Sequence, residues 1–386
     1  MSGTSRVPRV ARPACDDRPP VRVHLVDPSA YTPPYDHALA AALVRAGAEV
    51  ELITSRFGYG PVPARDGYAV CEDFYRFAPG PPGSRMRLAA KLGQHVPDML
   101  RYRRASRRAD VVHFQWLAVQ PLDVRLLPRK RPLVLTAHDV LPREPRAGQL
   151  RAQRRLYGRM DAVVVHSRHG RERLVVDLGV DPELVHVIPH GAFEHLTRQP
   201  EEAPLPAELA AVEGPVVLCF GLMRPYKGID VLLEAWHGIG EGELWVVGMP
   251  RMPLRALRSR ATPNVRFVPR FITDAEIPAY FRRADLVVLP YREIDQSGVL
   301  FTALAFGKPL LLSAVGGFPE VAETGAAELV APGDPAALHL ALRRLLDDPQ
   351  RRAALAAASA RAAAGPYSWD AVAARTLELY RALTAG

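Results

Sequence analysis

The sequence predicts an α/β protein with two domains, each built on a parallel sheet. Three observations carry this. Short apolar runs such as Val21–Val26, Val216–Phe220, Leu286–Leu289 and Leu310–Ala314 alternate with helix-like segments, as buried strands of parallel sheets do. The turns between run and helix hold glycine and polar residues, the composition of the sheet edge that collects ligands. The length, 386 residues, exceeds what one hydrophobic core serves.

Composition narrows the class. With 48% hydrophobic and 24% charged residues the chain is globular, and no apolar run approaches a membrane span. Residues 1–20 are rich in Arg and Pro and lack an apolar signal core, so a disordered tail and a cytoplasmic protein are expected. Cys15, Cys71 and Cys219 are scattered, which argues for a reducing compartment and against a disulfide framework or metal site. A net charge of +9 suits acidic partners. No helix-turn-helix, zinc finger or RNA-recognition motif is present, so nucleic acid is not expected.

Residues 21–191 read as the first domain. Val21–Val26 is its first strand, and Asp36 is placed to cap a helix through Val44, closed by Gly47 before a strand from Glu49 to Thr54. The dinucleotide glycine fingerprint is missing from this first turn, which disfavours a dehydrogenase. Tyr31, Tyr35 and His37 either line an acceptor pocket or pack their own loop. Arg85–Arg108 is the most basic stretch, with Leu88, Leu92, Val96 and Leu100 at helical spacing and Gly93 and Pro97 expected to interrupt it. It reads equally as a solvated face or as a surface for anionic membrane. DVVHFQW (110–116) and LVLTAHD (133–139) are strands whose polar ends face the ligand edge. His138 is the stronger candidate there, a strand-end imidazole followed by Asp139 and, beyond it, Pro142. His113 reads as structural. AVVVHS (162–167) is a further strand, with Ser167 capping the next helix.

Residues 192–214, dense in Pro and Glu without periodicity, read as a linker, and residues 215–367 as the second domain. After Val216–Phe220 comes GLMRPYKG (221–228), which sets Gly221, Arg224 and Lys227 at a strand-to-helix turn. A forked guanidinium, a point charge and a helix N-terminus together suit a diphosphate. Leu286–Leu289 leads to Gln296-Ser297-Gly298 and a helix from Val299, ended by Gly307-Lys308-Pro309. Leu310–Ala314 leads to Gly316-Gly317 and Glu320. The two glycine turns either close tight connections or leave backbone bare for a ligand, and their succession favours a site. Beyond Val321 the chain is expected to be helical, with residues 368–386 packing back on the first domain.

These motifs, GLMRPYKGIDVLLEAW, GKPLLLSAVGGFPEV, TAHDVLP and HSRHGRERLV, resemble the family-4 retaining glycosyltransferases. The resemblance implies the GT-B fold: two Rossmann-like domains facing a central cleft, with a nucleoside diphosphate sugar held mainly by the second. It implies no metal or other cofactor, and a hydroxyl acceptor that is a glycan, a small molecule or lipid-linked, in which case the inner face of the membrane is the workplace. Lys227 matches the family lysine on the donor diphosphate. Arg224 shares that task from two positions beyond the usual arginine, where this chain has Leu222. His138 is similar to the histidine against the donor sugar. The family's paired glutamates, eight positions apart, fall here on Ile294 and Thr302. Gln296, Ser297, Gly298 and Val299 resemble a subgroup variant of that loop, and Glu293 stands one position from the first glutamate. A nucleotide-sugar epimerase or glycan phosphorylase of the same fold, or a non-catalytic basic binder of nucleotide-sugar or anionic lipid, remains an alternative.

Overall fold

The computed structural model describes residues 19–385 apart from 59, 61, 82, 118, 130 and 142–147. Its first sheet is parallel, with β1 (Arg22–Asp27), β2 (Glu49–Ser55), β3 (Ala69–Phe74), β4 (Val111–Phe114), β5 (Leu133–Thr136), β6 (Ala162–Val165) and β7 (Val185–Val187) in the order β3-β2-β1-β4-β5-β6-β7. Helices α1 (Pro33–Arg45), α2 (Arg85–Ala105), α3 (Gln120–Leu126), α4 (Gln149–Tyr157) and α5 (Arg168–Val176) cover it. The second sheet holds β8 (Val216–Phe220), β9 (Glu243–Val247), β10 (Val265–Val268), β11 (Leu286–Leu289), β12 (Leu310–Ser313) and β13 (Ala327–Val330), in the order β10-β9-β8-β11-β12-β13. With it come α6 (Ala207–Ala210), α7 (Ile229–Trp236), α8 (Arg255–Arg258), α9 (Ile277–Arg283), α10 (Gly298–Ala305), α11 (Phe318–Ala322), α12 (Pro335–Asp347) and α13 (Pro349–Ala364). The last helix is α14 (Trp369–Thr384).

Each sheet reverses its strand order once, between β1 and β4 and between β8 and β11. A crevice opens outside the carboxyl ends of the strands at such a point. The central strands are buried and largely apolar because helices cover both faces. In β4, β5, β6, β11 and β12 every residue is buried.

Two expectations need correction. Asp36 does not cap α1. Thr32 is the N-cap, and Asp36 lies buried in the first turn. Gly93 and Pro97 do not break α2, which runs unbroken for 21 residues. Pro97 removes only the bond to the Gly93 carbonyl, while anchors on either side hold the helix. His95 Nε2 lies 2.6 Å from a carboxylate oxygen of buried Asp123, and Asp98 accepts the Tyr75 N–H at 2.7 Å. β3 and β13 escaped the sequence reading because edge strands pair on one side and need no continuous apolar run. Residues 192–214, the expected linker, pack on the second domain. Ala192 and Leu209 are buried in the second domain's core, and Arg282 donates to the Thr197 carbonyl and pairs with Glu202.

Although it follows the second domain in sequence, α14 lies on the first. Val372, Ala373, Leu377 and Tyr380 share one buried cluster with Leu39 and Leu43 of α1. The Trp369 indole N–H donates to the Ala192 carbonyl at 2.7 Å. The Tyr380 hydroxyl sits 2.6 Å from His113 Nδ1, whose Nε2 meets Thr136 Oγ1 at 2.7 Å. His113 is thus a structural bridge.

Candidate active site

The turn after β8 carries one side of the site. Lys227 is only 6% exposed, and its ammonium donates to the Tyr291 hydroxyl at 2.8 Å. That hydroxyl lies 3.4 Å from Ser297 Oγ, so Lys227, Tyr291 and Ser297 form a chain across the β8/β11 switch point. A Cβ on Gly221 would stand 2.9 Å from Lys227 Nζ and 3.0 Å from Val299 Cγ2, which places Gly221 and Val299 in the same corner. Gly228 has φ +65°, and a Cβ there would meet the Pro290 carbonyl oxygen at 2.0 Å. Only glycine lets this turn press so closely on β11. Arg224 is exposed at the turn and has no ion pair among the described residues.

Arg292, which the sequence reading missed, staples the corner together. Its guanidinium forks onto Asp230 at 2.8 and 2.6 Å and donates to the Pro225 carbonyl at 3.0 Å. This bidentate pair fixes the angle between the Lys227 turn and the loop leading to Ser297. Ser297 is the N-cap residue of α10, yet its hydroxyl makes no capping bond and turns to Tyr291 instead. Gly298 and Val299 are the first residues of α10, so their N–H groups belong to its unsatisfied N-terminal turn.

The second glycine turn, with Gly316, Gly317 and Glu320, packs closely against other parts of the protein. Gly316 has φ +55°, and a Cβ there would stand 1.9 Å from the Ile294 carbonyl oxygen. A Cβ on Gly317 would meet Ser167 Cβ at 2.9 Å. The Glu320 carboxylate accepts the backbone N–H groups of Arg168 and His169 at 3.0 and 3.2 Å, capping α5 of the first domain at its positive end. Asp295 pairs with Arg173 at 2.8 Å, and the Gln296 amide donates to the His166 carbonyl at 3.3 Å. These residues form the seam between the domains. Sequence could not show that the β6–α5 turn would fill the bare backbone. Glu293 is exposed without a partner among the described residues. Thr302 turns its hydroxyl back onto the Gly298 carbonyl at 3.0 Å.

The first domain contributes a row of histidines from four successive strands: His113 within β4, and His138, His166 and His190 just beyond β5, β6 and β7. His166 Nδ1 lies 3.0 Å from the Ile188 carbonyl, so that nitrogen must carry the proton. Its Nε2 is then an acceptor for His138 Nδ1–H at 3.3 Å, leaving His138 Nε2 as an acceptor 3.1 Å from the Gln115 amide. Burial holds all four imidazoles neutral, assisted for each of them by neighbouring histidines or offset by one backbone bond. His138 falls well below 6.5, His166 to about 4, His190 to about 3 and His113 to about 3. The pattern VVH, TAH, VVVH, IPH was visible in the sequence, but only the sheet aligns it.

Of the three residues read as either acceptor-lining or packing, two pack. Tyr35 is a buried pillar among these rings, 4.7 Å from His138, 4.9 Å from His190 and 5.1 Å from Trp369 by centroid. His37 is buried with Nδ1 2.6 Å from the Tyr68 hydroxyl, and burial lowers it to about 4. Both are buried. Tyr31 stays exposed, edge-on to Trp116, whose ring stacks on His138. The Pro142 placed after His138 lies outside the described residues. Among the described residues no three His, Cys, Asp or Glu side chains converge to hold a metal ion.

Comparison with known proteins fixes the family. A model described as Glycosyltransferase Family 4 matches residues 35–192, and one described as Glycosyl transferases group 1 matches residues 214–348. The chain is 30% identical to a D-inositol 3-phosphate glycosyltransferase of Xylanimonas cellulosilytica, covering 90% of each chain. It belongs to glycosyltransferase family 4. Solved structures agree on the fold. Sucrose-phosphate synthase of Thermosynechococcus elongatus superposes with a TM-score of 0.72 at 22% identity, covering 95% of this chain and 99% of that one. Anabaena HepE in complex with UDP-glucose gives 0.70 at 20% identity, covering 94% of this chain and 100% of that one. This family-4 enzyme therefore has the GT-B fold and transfers a sugar from a nucleotide-sugar donor. No described helix is long and apolar enough to cross a membrane.

Proposed function

We propose that this transferase moves a hexosyl group to a hydroxyl acceptor with retention of configuration and without a metal ion, and that its donor diphosphate sits at the Lys227 corner. The chain from Lys227 through Tyr291 to Ser297 is the observation that carries the reading. As the glycosidic bond lengthens, negative charge collects on the leaving phosphate. A fixed ammonium in a half-dry corner stabilises that charge more than the ground state. Arg224 reaches the same diphosphate from the exposed side of the turn, and the Gly298 and Val299 N–H groups add the dipole of α10.

The opposite side has the opposite requirement. The anomeric carbon gains positive charge as the leaving group departs, so a protonated imidazole beside it would raise the barrier. Burial keeps His138 neutral, which lets it pack against the sugar without that repulsion. The acceptor oxygen forms its bond to the anomeric carbon on the face the phosphate leaves, and its proton passes to the departing phosphate oxygen. Donor binding is tested by melting shifts with UDP-, GDP- and dTDP-sugars, UDP-glucose first because HepE binds it. Retained anomeric configuration by NMR of the product is expected. An inverted product, or an epimerised donor without any acceptor, refutes the proposal.

A second reading concerns where the enzyme works. Leu88, Leu92, Val96 and Leu100 are 70%, 56%, 36% and 41% exposed along α2. The stripe ends at a groove lined by Arg103, Arg104, Arg107, Arg129 and Arg131. Exposed aliphatic side chains beside clustered guanidinium groups fit an anionic lipid surface. Co-flotation with phosphatidylglycerol vesicles at low salt supports it, and failure to float removes it.

A further inference from the structure

We infer that Thr32 is a positioning residue: its hydroxyl holds the Trp116 indole against the face of His138, and the buried carboxyl pair Asp27 and Asp36 holds Thr32 itself. The inference rests on the reading that His138 packs against the donor sugar, and it names what sets that imidazole's place.

Trp116 lies half-buried in the loop after β4. Its ring stacks on His138 with centroids 5.1 Å apart and planes 15° apart, and Tyr31 meets the indole edge-on at 5.3 Å. Stacking alone leaves a ring free to slide in its own plane. The indole N–H removes that freedom by donating to Thr32 Oγ1 at 2.9 Å. Thr32 stands at the N-cap of α1, where a hydroxyl ordinarily accepts a backbone N–H of the first turn, yet it makes no capping bond to the described residues of α1. An indole only donates, so the Thr32 hydroxyl accepts there, and its own proton points to Asp36 Oδ1 at 3.4 Å. The hydroxyl gives up its local role for a partner 84 positions away.

Asp27, at the end of β1, is fully buried. Its carboxylate accepts the backbone N–H groups of Ser29, Tyr31 and Thr32 at 3.2, 2.5 and 3.2 Å. These bonds close a turn in which Ala30 has φ +52°. Such a conformation costs a non-glycine residue about 1–3 kcal/mol and persists only where its surroundings over-determine it. Asp36 is 1% exposed and hydrogen-bonded to Asp27. Two carboxyl groups in such contact do not both ionise. Three N–H donors favour the charge on Asp27, so Asp36 carries the shared proton and donates it to Asp27. Burial first, and the Asp27 charge second, raise Asp36 well above the usual carboxylate range. Around the pair stand Tyr35 of α1, Lys91 of α2 and, lining a small cavity beside Asp36, His37, Arg65 and Glu72. Tyr75 hydrogen-bonds Ser29 in the same turn.

Asp27 and Asp36 thus fix the turn, the turn fixes Thr32, Thr32 fixes the indole, and the indole limits where the imidazole can stand. A displaced imidazole weakens contact with the sugar in the transition state and leaves the diphosphate at Lys227 untouched. The loss therefore falls on kcat rather than on the donor KM.

The test uses the full chain with the donor identified by melting shift. Thr32→Val keeps the shape and removes the hydroxyl. It is expected to lower kcat about tenfold, the worth of one hydrogen bond between buried groups, with the donor KM unchanged, and Thr32→Ser is expected to restore the rate. Trp116→Phe, which keeps a stacking ring and loses the N–H, is expected to give the same loss even if Thr32→Val melts early. In a His138→Ala background the Thr32→Val loss is expected to vanish, because the residues act as one chain. A loss that adds in full overturns the inference and leaves the transferase reading standing. If His138→Ala itself leaves kcat unchanged, the reading of His138 fails and takes the inference with it. Fluorescence supplies a readout that a helix cap alone would not move. Of the four tryptophans, Trp236 and Trp245 are fully buried and Trp369 is 7% exposed, so acrylamide reaches Trp116 first, and the Trp116→Phe protein identifies its share. Thr32→Val is expected to raise that quenching, and unchanged quenching in a protein that melts within a few degrees of the parent overturns the inference. Asp27→Asn is expected to raise it more than Asp36→Asn, which keeps a donor for Asp27. The reverse order overturns the clasp.

Discussion

The two edges that face each other across the cleft solve different problems. On the second domain, Lys227 and Arg224 share one turn with the N-terminus of α10 nearby, and Arg292 braces the corner from the adjoining loop. On the first domain, His113, His138, His166 and His190 come from four separate strands or the turns just after them, and burial keeps each neutral. One edge concentrates charge where a diphosphate needs it. The other excludes charge where a carbon turns cationic and an uncharged hydroxyl must approach. The contrast teaches that burial serves the two edges differently: it strengthens a fixed ammonium against a phosphate and keeps the imidazoles on the sugar side neutral.

That contrast can be broken from either side. The largest effect is expected from Lys227→Ala, which removes the buried ammonium and should lower kcat about 10²–10³-fold, the usual cost of a lost transition-state charge partner. Steady-state rates at saturating donor, with circular dichroism as the folding control, measure it.

Next comes acid stability. An imidazole whose folded pKa is depressed binds protons more readily in the unfolded chain, so stability is full above pH 6.5 and is lost as pH falls toward the folded value. For His166, lowered to about 4, the loss by pH 4 amounts to about 3 kcal/mol. Denaturant midpoints between pH 8 and 4 should fall steadily below 6.5, and a flat profile would contradict neutral burial of the row. His166→Ala should be milder, about tenfold in kcat with donor KM unchanged, because it releases the tautomer of His138 without touching the donor. Its pH–rate profile should gain a limb between pH 5 and 7 that the parent lacks. The smallest effect is expected at the seam. Glu320→Gln weakens the cap on α5 and should cost about 1 kcal/mol, seen as a slightly lower melting temperature.

The same contrast explains what could be read from the sequence. GLMRPYKG places its functional groups within one turn, so local spacing reveals them. Lys227 does meet Ser297 through Tyr291, although nothing in the sequence marked Tyr291 or Arg292 as the connectors. The histidines lie on separate strands, and only the parallel order β4-β5-β6-β7 sets them abreast. His138 stood out because Asp139 follows it, while His166 and His190 looked like ordinary strand ends. For Gly316, Gly317 and Glu320 the protein partners were illegible for a related reason. Bare backbone and a carboxylate beside a helix start signal a ligand site locally, but their partners are Ser167, Arg168 and His169, remote in sequence. The strands were legible wherever both faces are buried and illegible at β3 and β13, where an edge position relaxes the pattern.

The central claim, that charge is confined to the Lys227 edge, is tested most directly by calorimetry with a nucleoside diphosphate and its parent nucleoside. The parent protein should bind the diphosphate at least about 100-fold more tightly, a difference of roughly 3 kcal/mol, and Lys227→Ala should remove most of that preference. A preference that survives the substitution intact would place the diphosphate elsewhere and contradict the account.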